Sequence, residues 1–199
     1  MWFKNTVLCS LFASYFITMY KKLQNDELNR ISNHEFKETD KTPIVIVLDN
    51  IRSLNNIGSV FRTADAFLIE AIYLCGITAT PPHRDIQKTA LGATETVTWR
   101  HTTTTLEAIT ELKQNGYQIA SIEQTENSTL LHEFKVKPTE KWALIFGNEV
   151  NGVEQAVINQ SDVVIEIPQY GTKHSLNIAV STGIVVWEIQ KEYKSINEV

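Results

Sequence analysis

Residues 165–184 read IEIPQYGTKHSLNIAVSTGI. An apolar, β-branched segment that is typical of a buried strand ends at Pro168, a polar loop follows, and a second apolar segment begins at Ser175. A loop that joins a strand to a helix exposes main-chain donors and acceptors on a rigid scaffold. A ligand that is held without a metal or a covalent bond needs such groups, so we predict that this loop binds a ligand.

Apolar segments of strand length alternate with segments of helical periodicity on the N-terminal side of this stretch. The predicted strands are residues 43–49, 71–76, 117–123, 142–147 and 162–167. The predicted helices are a charged lead-in at 23–38, then 56–67, a short piece within 86–93, 105–116, 152–160 and 176–191. This alternation predicts an α/β fold with a mainly parallel sheet and helices on both faces.

Three of the predicted helices have informative apolar patterns. In the helix at 56–67 the residues that recur at helical spacing and point inward are Ile57, Val60, Phe61, Ala64 and either Phe67 or Leu68. In the helix at 105–116 the corresponding residues are Leu106, Ile109 and Leu112, with Gly116 at the C-terminal cap. The last helix is apolar around too much of its circumference for a surface helix, so we expect burial on more than one side, within one chain or at a subunit interface.

Composition predicts one folded domain. The chain has 199 residues, of which 43% are hydrophobic and 21% charged, which is enough for one core. We divide it into an N-terminal extension with a helical lead-in, residues 1–40, and a folded domain, residues 41–199. Residues 1–18 are apolar but lack a small-residue cleavage site and are marginal for a membrane span. We favour an over-extended reading frame, with Met19 as the start, or a disordered tail over a signal sequence.

The cysteines and the net charge restrict location and partners. Cys9 and Cys75 are far apart and form no CxxC pair, which argues against a disulfide framework and a zinc site and favours a reducing, cytoplasmic location. The net charge of −5 argues against a general nucleic-acid coat protein. A nucleic-acid partner would need local positive groups, and the candidates near predicted loop ends are His83, Arg84, Lys88, Arg100, Lys173 and His174.

Three segments begin at the carboxyl ends of predicted strands. They start after Asp49, at Gly147 and at Pro168. In an open parallel sheet, ligands bind beyond the carboxyl ends of the strands, so these segments can converge on one site. The middle segment contains GNEVNG, which lacks the P-loop and dinucleotide-binding patterns and therefore supports neither nucleoside triphosphate use nor a dinucleotide-dependent oxidoreductase.

Each segment taken alone also has a purely structural interpretation. Arg62 offers a planar fork of donors that suits a phosphate, but taken alone it is better explained as a salt-bridged surface arginine, since charges on helices are mostly solvated. Glu149 could accept hydrogen bonds from hydroxyls or amines, or face solvent from a plain turn. Asn56, Ser175 and Asn177 are residue types that commonly cap helices.

Taken together, the three segments resemble the three motifs of the SpoU-TrmH family of RNA ribose 2′-O-methyltransferases in the SPOUT superfamily. The resemblance extends from about residue 43 to residue 190. The first motif is matched by Asn56, Gly58, Arg62, Thr63 and Ala64, the second by Gly147, Glu149 and Gly152, and the third by Ile167, Pro168, Ser175, Leu176 and Asn177.

The resemblance implies a C-terminal deep trefoil knot that binds S-adenosylmethionine and a homodimer that methylates RNA. Separately, we expect no metal site and no membrane partner. It implies that the main chain of Gly147, Ile167 and Leu176 holds the adenine and ribose end of the cofactor, with Ser175 nearby. It further implies a catalytic Arg62, with Asn56, Glu149 and Asn177 arranging the arginine, the methionine end and the substrate ribose. Short members of the family look more like tRNA enzymes than rRNA enzymes, so tRNA is favoured. The alternatives are an rRNA substrate and a non-catalytic RNA-binding module on the same scaffold.

Overall fold

The computed structural model of the protein describes residues 20–197, with side chains described as far as Tyr193. Our expectations for residues 1–18 therefore lie outside the described residues. Residues 20–31 belong to one compact unit and residues 32–197 to a second. The described part of the first unit contains a short 3-10 helix, Asn25–Leu28, which ends at Asn29 in the left-handed conformation. The predicted lead-in helix is thus two short helices, because a second one begins only after the Ser32 cap.

The second unit alternates strands and helices. In chain order its elements are α1 (Asn33–Glu38), β1 (Thr42–Asp49), α2 (Leu54–Ala66), β2 (Ile69–Cys75), α3 (Arg84–Ala90), α4 (Ala93–Thr96), β3 (Trp99–Thr102), α5 (Thr105–Gln114), β4 (Tyr117–Ile122), β5 (Thr129–Leu130), β6 (Lys141–Phe146), α6 (Gln155–Ile158), β7 (Val163–Glu166) and α7 (Ile178–Asn197).

The strands form one sheet in the order β3-β2-β1-β6-β4-β7-β5, and every neighbouring pair is parallel. β1 and β6 lie side by side at the centre, with Leu48 opposite Phe146 where both strands end. Strands in such a position are covered on both faces and have nearly continuous apolar sequences, as β1 does. The predicted α/β class and parallel sheet are confirmed.

The core lies on both faces of the sheet. Alternation along β1 sends Ile44, Ile46 and Leu48 to one face, where they pack with α2, α3 and α7. It sends Val45 and Val47 to the other face, where they pack with α5 and α6. The helices thus cover both faces, as predicted.

Several details differ from the predictions. Leu106 does not point inward, because the buried face of α5 runs through Thr105, Ala108, Ile109 and Leu112 and leaves Leu106 40% exposed. The predicted helix at 152–160 shortens to α6, because the residues before it form a tight turn. β3 was not predicted, since its sequence WRHT is short, polar and largely exposed.

The last helix is longer and less covered than predicted. α7 begins at Ile178, and Val185, Val186 and Ile189 are fully buried against the sheet. The opposite side of the helix leaves Val180 and Trp187 more than half exposed within the described chain. Among the described residues of a single chain, α7 is therefore buried on one side only. Over the same described range, no helix has the length and apolar character needed to cross a membrane.

Candidate functional site

The three predicted segments converge at one edge of the sheet. The second and third segments line a cavity of about 740 Å³, whose wall includes Gly147, Glu149, Ile167, Ser175, Leu176 and Asn177. The first segment does not line it but is hydrogen-bonded to this wall through Asn56. The cavity forms there because β6 and β7 are separated only by β4, and all three strands end at the same edge. Its volume lies in the range of about 300–1,000 Å³ that is usual for small-molecule sites.

One hydrogen-bonded group joins a residue from each segment. The Asn56 side chain donates from Nδ2 to Oε1 of Glu149 at 3.2 Å. Its Oδ1 accepts a hydrogen bond from Nδ2 of Asn177 at 3.1 Å. The side-chain amide of Asn56 therefore donates to the second segment and accepts from the third. We call Asn56, Glu149 and Asn177 the amide bridge.

The Glu149 carboxylate also closes the start of α2. Besides Asn56, it accepts hydrogen bonds from the backbone amides of Arg52 and Ser53, both at 3.3 Å. Burial raises the pKa of Glu149, but the backbone amides of Glu149, Arg52 and Ser53 and the Asn56 side chain outweigh it, so the pKa is lowered overall. At neutral pH the group is an anion that can only accept hydrogen bonds, which fixes the orientation of the Asn56 amide.

The structure shows which of the motif residues Asn56, Ser175 and Asn177 cap a helix. Ser53, not Asn56, caps α2, because Ser53 Oγ accepts a hydrogen bond from the Asn56 amide at 3.3 Å. Asn177 serves both purposes: its Oδ1 accepts from the Ala179 amide at 2.9 Å at the start of α7, while its Nδ2 reaches Asn56. Ser175 is exposed at the cavity wall.

The glycines of the second motif are required by the turn itself. A Cβ on Gly147 would lie 2.1 Å from the carbonyl carbon of Gly152 and from the amide of Val153. Gly152 has a φ of +68°, which glycine adopts without strain. The turn is closed by hydrogen bonds in both directions between the backbones of Asn148 and Gly152, at 3.0 and 2.9 Å. The two glycines thus allow the backbone at residue 147 to pack closely against the backbone at residues 152 and 153.

Asn148 is a site residue that sequence reasoning missed. Its Nδ2 donates to the backbone oxygen of Asn50 at 2.8 Å, which ties the turn to the end of β1. Its Oδ1 accepts from the amides of Val150 and Asn151, at 2.8 and 3.2 Å. An asparagine at the start of a glycine-containing turn commonly bonds to the backbone two residues on, and this was the available signal.

Glu123 and Gln124 were also missed. They follow β4 directly and line the cavity. Glu123 Oε2 accepts from the Val153 amide at 2.9 Å, and Gln124 Nε2 donates to the backbone oxygen of His174 at 2.7 Å. Each side chain therefore contacts one of the motif segments. Their signal in the sequence was a polar pair at the carboxyl end of a predicted strand.

Arg62 does not join the amide bridge. It is exposed, does not line the cavity and has no hydrogen bond or ion pair with the other described residues. Six positions along a helix correspond to roughly 120° of rotation, so Arg62 and Asn56 lie on different sides of α2. Arg62 shares a side with Gly58, which packs against Ile86 and Thr89 of α3. The guanidinium is thus placed on the outer surface beside α3.

The candidate RNA-contacting groups separate into two sets. His83, Arg84 and Lys88 are exposed on and before α3, and Lys173 and His174 are exposed beside the cavity. Arg100 differs from these, because it forms an ion pair with Glu111 and lies over the ring of Tyr73, 5.3 Å from its centroid. A cation held in this way is less available to a phosphate.

The sequence is similar to those of RNA methyltransferases. Residues 43–187 match the sequence model of the SpoU rRNA Methylase family. The chain is 30% identical over 156 residues to the 23S rRNA (guanosine-2'-O-)-methyltransferase RlmB of Neisseria meningitidis, across 78% of this chain and 61% of that protein. It is 31% identical over 160 residues to an uncharacterized tRNA/rRNA methyltransferase of Borreliella burgdorferi, across 79% of this chain and 67% of that protein. The chain thus spans about three fifths of the length of the first of these relatives.

Solved structures resemble the fold over most of the chain. The TrmH/SpoU tRNA modifying enzyme of A. aeolicus superposes with a TM-score of 0.72 and 25% identity, over 83% of this chain and 82% of that one. The AdoMet-bound rRNA methyltransferase of Sinorhizobium meliloti superposes with a TM-score of 0.71 and 25% identity, over 78% of this chain and 59% of that one.

Proposed function

Because this chain belongs to the SpoU rRNA methylase family, we propose that it transfers a methyl group from S-adenosylmethionine to a ribose 2′-hydroxyl of RNA. The observation that carries the proposal is the amide bridge, in which Asn56 of the first motif is hydrogen-bonded to Glu149 and Asn177 on the wall of the cavity. The names of the relatives support it, since RlmB is named a 23S rRNA (guanosine-2'-O-)-methyltransferase and the Sinorhizobium meliloti rRNA methyltransferase is described as AdoMet-bound.

The cavity fits S-adenosylmethionine in size and charge. Among the described residues, its wall carries the carboxylates of Glu123 and Glu149 and no lysine or arginine, which suits a ligand with a sulfonium and an ammonium group. In this proposal the main chain of Gly147, Ile167 and Leu176 holds the adenine and ribose end, with Ser175 nearby. When bound, S-adenosylmethionine supplies an electrophilic methyl group. The C-terminal trefoil knot is part of the same proposal.

The residues of this chain would act mainly by positioning. A nucleophile held in line with a methyl carbon needs little further chemistry, so the amide bridge would contribute by fixing the cavity wall next to the reacting groups. Arg62 would act on the RNA. Either it loses a proton transiently with help from an RNA phosphate, or it stays cationic and stabilises the developing alkoxide while phosphate or water accepts the proton.

We propose tRNA as the substrate and rRNA as the alternative. The A. aeolicus tRNA modifying enzyme is matched over 82% of its length, whereas the rRNA enzyme RlmB is matched over 61%. The exposed groups on α3 and beside the cavity would contact RNA phosphates, and phosphate contacts fix the position of the RNA without selecting its sequence.

We also propose a cytoplasmic homodimer. The outer side of α7 exposes Val180, Ile184 and Trp187, which are one helical turn apart and continue from Leu176 at the cavity. An apolar stripe of this kind on a helix that is buried on its other side is typical of a subunit interface.

The test is a methylation assay with purified protein and methyl-labelled S-adenosylmethionine. Total tRNA and total rRNA from cells that lack the gene serve as substrates, and digestion to nucleosides followed by mass spectrometry identifies the product. We expect a 2′-O-methylnucleoside from tRNA. Transfer to rRNA alone would select the alternative substrate. Binding of S-adenosylmethionine without transfer to either RNA would favour a non-catalytic RNA-binding module.

A further inference from the structure

Glu123 lies on the cavity wall directly after β4, outside the three motif segments. We propose that its carboxylate binds the ribose hydroxyls of the methyl donor. This inference rests on the proposed function, because it takes S-adenosylmethionine as the ligand of the cavity.

The carboxylate of Glu123 is held in place by the backbone. Its Oε2 accepts a hydrogen bond from the Val153 amide at 2.9 Å, and its Oε1 accepts one from the Gln124 amide at 2.8 Å. A carboxylate offers about four lone-pair positions, so about two remain for a ligand. The group is therefore oriented before a ligand arrives and still has acceptor capacity.

Under the proposed function, Glu123 lies at the nucleoside end of the cavity. The Val153 amide that holds it is the same group that lies 2.1 Å from where a Cβ on Gly147 would be. Gly147 is the residue whose main chain is proposed to hold the adenine and ribose end. The turn also leaves space for the carboxylate, because a Cβ on Gly152 would lie 2.1 Å from Glu123 Oε2.

The other carboxylate on the cavity wall, that of Glu149, already accepts several hydrogen bonds from the protein. Glu149 accepts hydrogen bonds from the amides of Arg52 and Ser53 and from the side chain of Asn56. Of the two anions on the wall, Glu123 is thus the one with fewer donors. Two adjacent ribose hydroxyls can donate side by side to one carboxylate, and an acidic residue near the carboxyl end of a strand holds ribose in this way in dinucleotide-binding sheets.

The test compares ligands as well as proteins. Titration calorimetry would measure the affinity of the wild-type protein and of Glu123→Gln for S-adenosylhomocysteine and for its 2′-deoxy and 3′-deoxy analogues. For the wild type we expect removal of a contacted hydroxyl to weaken binding by roughly tenfold to a hundredfold, as for a hydrogen bond to a charged group. For Glu123→Gln we expect weaker binding of S-adenosylhomocysteine and little further loss with the deoxy analogues.

Glu126→Gln is the matched control, since it makes the same change of charge at an exposed residue that does not line the cavity. It should retain the wild-type response to each hydroxyl. Equal affinity of the wild type for the parent ligand and both deoxy analogues would overturn the proposal. So would an equal loss of affinity for all three ligands in Glu123→Gln, because that is the result of a carboxylate that only supports the turn. Absence of any heat with S-adenosylhomocysteine and the wild type would instead overturn the proposed function.

Discussion

At the scale of single residues, Asn56 has the most demanding position. It donates to Glu149 and accepts from Asn177, so a replacement must keep both a donor and an acceptor at the same atoms. Aspartate has the same shape as asparagine but only acceptors when ionised. It would also place a second negative charge next to Glu149, which disfavours the ionised pair.

We therefore expect Asn56→Asp to lower kcat/KM for RNA methylation by about 100-fold, the size of effect that small misplacements in an active site produce. Steady-state kinetics would measure it. Asn55→Asp is the control, because Asn55 is the exposed neighbour on the same helix and its side chain has no partner among the described residues. Equal activity of the two variants would contradict a functional role of the amide bridge.

The lowered pKa of Glu149 predicts a pH dependence of stability. A carboxylate with a depressed pKa in the folded state stabilises the fold fully above its unfolded value, near 4.5, and loses this contribution as the pH falls through the lower folded value. Glu149→Gln should therefore unfold at lower denaturant concentration than the wild type at pH 7, and the difference should shrink below pH 4.5. Urea titrations at several pH values would measure it, and a difference that is independent of pH would contradict it.

A substitution of Arg62 would separate the effect on methyl transfer from the effect on cofactor binding. Arg62→Lys keeps the charge but loses the planar fork of donors. We expect single-turnover methylation to fall by about 100- to 1,000-fold, as when one donor to a developing oxyanion is removed, with the affinity for S-adenosylmethionine unchanged. Arg84→Lys on α3 is the control for a general effect of arginine on RNA binding. A near-normal rate for Arg62→Lys would contradict a catalytic role for the guanidinium.

At the scale of secondary-structure elements, the contact of α2 with α3 depends on Gly58. A Cβ there would lie 2.1 Å from Thr89 Oγ1 and 2.2 Å from the backbone oxygen of Ile86. The side chain of Thr89 can move, but the backbone of α3 cannot move without shifting the helix. The glycine of the first motif is thus explained by helix packing.

Gly58→Ala should consequently destabilise the protein, although alanine favours a helix by about 1 kcal/mol relative to glycine. We expect a net loss of about 1–3 kcal/mol in the free energy of unfolding, which is typical of overpacking in a buried contact. Chemical denaturation would measure it. Ser59→Ala, on the same helix and without added atoms, should change stability little. An increase in stability for Gly58→Ala would show that α3 can move away at low cost.

The elements that were predictable are those with long apolar segments. β1 has five consecutive apolar residues, Ile44 to Leu48, after its threonine and proline, and α2 has an unbroken apolar stripe at helical spacing. The type of both elements was therefore clear from the sequence. β3 was missed because its pairing with β2 comes from backbone hydrogen bonds and leaves little apolar signal. Leu106 was misplaced because the helical pattern fits equally well when it is shifted by one residue, and only packing against the sheet selects Ala108.

At the scale of the whole molecule, the parallel sheet was predictable but its strand order was not. Alternation of strands and helices is a local pattern, whereas the neighbours of β4, which are β6 and β7, depend on long-range pairing. The same limit applies to the site. Motif residues were identified from the sequence, but Glu123 and Asn148 contribute through contacts with distant parts of the chain, at Val153 and Asn50.

The outer side of α7 gives a prediction for the assembly. If it is the subunit interface, a charge at its centre should separate the subunits, because burying an unpaired charge is costly. We expect Ile184→Glu to change the mass measured by light scattering from that of a dimer to that of a monomer. Lys191→Glu, at an exposed position of the same helix, is the control and should remain dimeric. A monomeric wild-type protein would contradict the proposed homodimer.

The bracing of the turn at residues 147–153 has a consequence for recognition. Its shape is set by Asn148, by the paired backbones of Asn148 and Gly152 and by the carboxylate that receives the Val153 amide. A segment that is already rigid loses little conformational entropy when a small molecule binds to it. Few direct contacts can therefore suffice for tight association.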